Sequence, residues 1–134
     1  MKIILAFAIS LITSHINGQD TLKKPKESTD TSALYKVEIE SQYPGGTDAW
    51  KNFLIRAMHY PDAAVRNRIE GIVIVRSIVD ADGTVSDILA VSGPEELRHE
   101  SERIIRKSGK WIPAFQHGHN VKSYKQQPFV YRMN

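Results

Sequence analysis

The 134-residue chain has no cysteine, which excludes disulfides, thiolate metal sites and a thiol nucleophile. Charge of one sign is also scarce: 18 basic residues face 15 acidic ones, a formal net charge of +3. A nucleic-acid partner calls for a clustered basic face, and here Lys and Arg are scattered. The longest apolar run, Ile3 to Ile12, is too short for a bilayer-crossing helix, which takes about 20 residues. With 41% hydrophobic and 25% charged residues, the composition is that of one globular domain held by apolar burial.

The apolar run has a processing context. Met1-Lys2 precedes it and Thr13-Ser14-His15-Ile16-Asn17-Gly18 follows, the layout of a secretory signal peptide with a small residue before the cut. Residues 1–18 are therefore expected to be a signal peptide cleaved near Gly18/Gln19, with an inner-membrane anchor as the lesser reading. Cleavage there also removes Lys2 and brings the charge closer to neutral. Residues 19–34 read as a flexible polar leader, because Gln19 to about Ala33 offers a single Leu to any core and such burial cannot offset the ordering entropy. The folded domain is expected over 35–134.

Within it, Tyr35 to Ile39 alternates apolar and charged residues, and Tyr43-Pro44-Gly45-Gly46 breaks the chain. Thr47 is a candidate N-cap, followed by Trp50, Phe53, Leu54, Ala57 and Met58 at helical spacing. Pro61 can open a second helix to about Arg68, with Ala64, Val65 and Ile69 inward and Gly71 as its stop. Ile72 to Val79 is β-branched nearly throughout. The turn Asp80-Ala81-Asp82-Gly83-Thr84 then returns the chain through Val85 to Val91, a hairpin with Val85, Asp87, Leu89 and Val91 on one face and Ser86, Ile88 and Ala90 on the other.

Ser92-Gly93-Pro94-Glu95-Glu96 reads as a helix entry, with Leu97, Ser101, Ile104, Ile105 and Ser108 as the inward stripe and Gly109 as the end. After Trp111-Ile112-Pro113-Ala114-Phe115, residues Gln116 to Asn120 read as a turn. A final strand is expected from about Val121 to Met133, with Pro128 marking a sheet edge or a bulge. The fold class is α+β: a two-layer sandwich with a three-stranded antiparallel sheet in the order 2-1-3, helices on one face and a helical extension in front.

Several residue groups invite a chemical reading and have a plainer one. Asp80-Ala81-Asp82-Gly83 lacks the remaining oxygen ligands of a calcium loop, since Val91 stands where the bidentate Glu belongs. His117 and His119 flank Gly118 with no third ligand beside them, as exposed loop residues do. Glu95, Glu96, Glu100 and Glu102 suit the positive end of a helix and an i,i+4 pair with Arg106 rather than acid-base catalysis. Trp50, Phe53, Trp111 and Phe115 are expected in the core. Tyr124, Phe129 and Tyr131 fit either a core face or an edge contact. No catalytic set, metal site or cofactor is expected.

The run Tyr60-Pro61-Asp62 through Val75, the turn Asp80 to Asp87, Lys110-Trp111-Ile112-Pro113-Ala114, Gly118 to Val121 and Gln127-Pro128-Phe129-Val130-Tyr131 together resemble the TonB C-terminal domain family. Tyr43-Pro44-Gly45-Gly46 with Trp50 and Phe53 resembles an extension in one branch of it, so the likeness covers about residues 37 to 133. The resemblance implies a periplasmic, non-enzymatic domain without cofactor or small-molecule substrate, linked to energy-dependent outer-membrane transport. Its implied partner is the TonB box of an outer-membrane receptor, added as a strand beside the last strand, where an open edge leaves backbone groups to satisfy. The residues implied in that contact are Val121, Ser123, Tyr124, Gln126, Gln127, Phe129, Val130 and Tyr131.

An alternative use of the same edge is self-pairing into a homodimer. Two departures limit the resemblance. Arg56-Ala57-Met58-His59 stands where well-known members carry a receptor-contacting Gln-Pro stretch, so that role is not transferred. The chain shows no spanning helix and no long Pro-rich spacer, and a leader of about 15 residues reaches at most roughly 50 Å, so engagement of an inner-membrane motor is not expected.

Overall fold

The computed structural model describes residues 37–134; the expected signal peptide and leader lie outside these residues. Helix α1 spans Gly46–Ala57 and the short α2 spans Asp62–Arg66. Strands β1 (Gly71–Val79) and β2 (Val85–Ser92) form the hairpin, and α3 (Glu95–Lys107) follows. Two three-residue strands, β3 (Ala114–Gln116) and β4 (His119–Val121), precede β5 (Ser123–Tyr131).

The main sheet is antiparallel in the order β2-β1-β5, the α+β arrangement expected from a hairpin, a helical crossover and a returning strand. Its helix-facing side carries Val73, Val75, Val79, Ala90, Phe129 and Tyr131, packed against Trp50, Leu54, Leu97, Ile104, Ile105 and Trp111. The α3 stripe is buried as its spacing requires: Leu97, Ser101, Ile104, Ile105 and Ser108 all face inward. Among the described residues no helix is long and apolar enough to cross a membrane.

Five local readings are corrected. The chain turns through Gly45 and Gly46, at φ of 89° and 78°, and α1 starts at Gly46 with no side-chain cap, so Thr47 is not the N-cap. The alternation of β2 breaks at Asp87, whose φ is 50°. The register with β1 shifts there and again near Val91, so Val85, Ile88 and Ala90 share the core side.

The stretch Gln116 to Asn120 is not all turn. It folds as the β3–β4 hairpin around His117 and Gly118, both at positive φ (48° and 83°), the signature of a tight two-residue turn. Val121 therefore belongs to β4, opposite Ala114, and the last strand begins at Ser123. Phe115 lies on this small hairpin at 36% exposure rather than in the core, set between Asn120 of β4 and the isolated bridge to Ile39.

The expected turn Asp80 to Thr84 has a tertiary function. Gly83 sits at φ 87°, and a Cβ there would lie 2.2 Å from the Trp111 carbonyl oxygen. Trp111 N–H in turn donates to Gly83 O at 2.9 Å. Asp82 Oδ1 accepts the Thr84 N–H at 2.9 Å, and Asp80 lies 3.5 Å from Lys122 Nζ. Both carboxylates are thus used in and around the turn itself.

Candidate binding edge

A three-stranded sheet has two rims, and the fold treats them differently. β2 carries two register shifts, which twist a rim away from pairing. The N–H of Ala90 donates across the rim to Glu102 Oε1 of α3 at 3.1 Å, and Glu102 Oε2 is held by Arg106 at 3.1 Å. This rim is bulged and capped.

β5 is straight by comparison. Its pairing with β1 runs without a shift from Gly71↔Tyr131 to Val79↔Ser123, through Ile74↔Pro128. Proline has no N–H, so Ile74↔Pro128 cannot be a pair that exchanges two hydrogen bonds. In an antiparallel ladder such pairs alternate with non-bonded ones. The bonded pairs are therefore Val73↔Phe129, Val75↔Gln127 and their alternates.

It follows that Ser123, Lys125, Gln127, Phe129 and Tyr131 turn their backbone groups to β1. Tyr124, Gln126, Pro128 and Val130 turn theirs to the outer rim. Among the described residues no strand pairs with that rim.

Side chains divide by the same parity. Ser123, Phe129 and Tyr131 are buried on the helix side, so these three of the eight implied contact residues offer no side chain to a visitor. Phe129 packs edge-on to Trp50 with centroids 6.2 Å apart, and Tyr131 edge-on to Tyr60 at 5.4 Å. Tyr131 Oη and Ser101 Oγ share a hydrogen bond of 2.9 Å, and burial pushes the Tyr131 phenol above its usual range.

Tyr124, Gln126, Pro128 and Val130 face the side of the sheet opposite the helix-facing core. Gln126 is exposed, whereas Val130 is only 7% exposed, so the accessible rim reaches to Pro128. On this sheet face Ile72 and Leu89 are about half exposed, at 47% and 48%.

Two polar side chains of the inward set reach the edge. Lys125 Nζ donates to Ser41 O at 3.0 Å and sits 5.8 Å over the Trp111 ring. Burial lowers its pKa, with the charge of Glu40 acting in the opposite sense. Ser41 belongs to the segment that bridges Ile39 to Phe115 and Gln42 to Ile112, so Lys125 ties this segment to β5. Gln127 Nε2 donates to Pro128 O at 3.3 Å.

Sequence reasoning missed Lys125 as a tether and Glu102 as a rim cap. The period-two pattern from Ser123 to Tyr131 places Lys125 on the core face, a usable signal. Nothing local marks Ala90 as the partner of Glu102. Among the described residues no group of three or more His, Asp or Glu is placed to hold a metal.

The described residues form a two-layer α+β domain with one bulged and capped sheet rim and one regular rim that no described strand joins. Residues 56–133 match the model of the family described as Gram-negative bacterial TonB protein C-terminal. The match spans more than half of the chain, and the chain belongs to that family, a TonB-like, transport-related domain of the cell envelope. Among solved structures, the chain is similar to the solution structure of the Helicobacter pylori TonB C-terminal domain. The TM-score is 0.51 and the identity 21%, over 82% of this chain and 98% of that one, a likeness of fold. No curated protein matches.

Proposed function

We propose that this domain binds an extended segment of an outer-membrane TonB-dependent transporter, the TonB box, by adding it as a fourth strand along the outer rim of β5. Membership in the TonB C-terminal family supports the partner class. The observation that carries the mode is the contrast between the rims: β2 is bulged and capped by Glu102, while β5 keeps a regular register and, among the described residues, has no strand beside its outer side. Backbone pairing at such a rim supplies affinity without catalytic groups, and side chains alternating over the rim supply selectivity. The domain acts as a binding module of the periplasm, exported by residues 1–18. The mass of the mature N-terminus tests that part, with a start at Gln19 expected and an uncleaved chain contradicting it.

The test of strand addition is Gln126→Pro. It deletes one outward N–H and leaves the β1 ladder intact, so the fold persists while affinity for a synthetic TonB-box peptide, read by titration calorimetry, falls about tenfold or more. Unchanged affinity in a folded variant overturns the reading. Dimerisation through the same rim is the competing outcome, visible as a mass that doubles with concentration in light scattering.

A further inference from the structure

Resting on the strand-addition reading, we propose that Gln127 and Pro128 end the recognised rim, so that the visitor's residue alongside Pro128 contributes no backbone hydrogen bond and can itself be a proline. Along an ordinary rim every second residue offers one N–H and one C=O to the incoming strand. Gln126 offers both. Pro128, the next outward residue, has no N–H, and its carbonyl already accepts the Gln127 side-chain amide at 3.3 Å.

Gln127 can do this because of where the ladder puts it. Its backbone is bonded to Val75 on the inner side, which fixes the strand, while its half-buried side chain folds back over the edge. The next outward residue, Val130, is only 7% exposed. Pairing is therefore strong at Gln126 and stops within two residues of it.

This assigns the partner a chemistry: an extended segment whose backbone is needed opposite Gln126 and dispensable opposite Pro128. A proline or N-substituted residue at the second position loses nothing there and gains by entering the complex already extended. The same arrangement limits self-pairing, since two copies of β5 meet a proline and a capped carbonyl in mid-register.

The experiment is an N-methyl scan of a synthetic TonB-box peptide against the full chain, with each peptide amide methylated in turn and affinity read by calorimetry. With the wild-type protein, the amide bonded to Gln126 is sensitive, losing about three- to tenfold. The amide facing Pro128, two residues along, is silent. In Gln127→Ala the Pro128 carbonyl is released, and that silent amide becomes sensitive by a similar factor. Pro128→Val restores an outward N–H and serves as the second variant, with tighter peptide binding expected.

Equal losses at both amides in the wild type overturn this inference while leaving strand addition standing. So do a scan that Gln127→Ala leaves unchanged and a peptide affinity that Pro128→Val leaves unchanged. Failure of the unmodified peptide to bind overturns both.

Discussion

The N–H of Ala90 donates to the Glu102 carboxylate at 3.1 Å, so a residue of the crossover helix closes one rim of the sheet. Ala90 lies opposite Val75, whose backbone is committed to β5, and its amide therefore points away from β1 and needs another acceptor. Glu102→Ala removes that acceptor. Faster hydrogen exchange at Ala90 and a stability loss of about 1 to 2 kcal/mol in urea are expected. Exchange at Ala90 that stays slow contradicts the cap.

Gly83→Ala tests the joint between hairpin and core. The added methyl meets the Trp111 carbonyl at 2.2 Å in a backbone at φ 87°, where L-residues are strained and the obstacle is main chain rather than a flexible tip. A loss of about 3 kcal/mol or more is expected from denaturant midpoints, with Trp fluorescence reporting altered packing of Trp111. A loss below about 1 kcal/mol would show that the turn yields freely.

Glu100 is buried at 7% exposure and joins α3 to the end of α1. It accepts the His59 N–H at 2.7 Å and the Arg103 guanidinium at 2.6 and 2.7 Å, and Arg103 reaches on to Ala57 O at 2.8 Å. The carboxylate thus holds the end of α1 to α3, and Glu100 raises the Arg103 pKa chiefly by hydrogen bonding. Glu100→Ala is expected to cost about 2 to 3 kcal/mol, below the figure for a fully buried pair because Arg103 is partly exposed. Glu100→Gln, which keeps an acceptor for His59, costs less. Equal losses in chemical denaturation contradict this assignment.

The Tyr131 phenol sets an alkaline limit. Burial, the leading cause, raises its pKa in the folded protein above the ordinary value of 10.0. The unfolded chain therefore loses the proton first as pH rises, and stability falls above about pH 10. Below that pH both states hold the proton and the contribution is flat. Tyr131→Phe removes this part of the alkaline slope in melts followed from pH 8 to 11. An unchanged slope contradicts the burial argument.

Much of this architecture was legible in the residues. The α3 stripe, the β-branched run of β1 and the Asp-x-Asp-Gly turn follow from period and turn chemistry, and Pro128 marked the edge strand. The rest depends on partners distant in the chain. Asp87 sits in an alternating run and carries no local mark of the bulge that flips β2. Glu100 looks like any first-half helical carboxylate until His59, 41 positions away, brings it an N–H.

Phe115 reads as core by type, yet on the β3–β4 hairpin it is 36% exposed. The edge residues of β5 are legible in the sequence only as a group. Their division into inward and outward sets needed the β1 register.

Amide hydrogen exchange with and without a TonB-box peptide tests the central claim most directly. Protection gained at Gln126, with Ala90 and the rest of the β2 rim unchanged, is the predicted pattern. Protection along β2, or none at Gln126 at saturating peptide, contradicts recognition at the β5 rim.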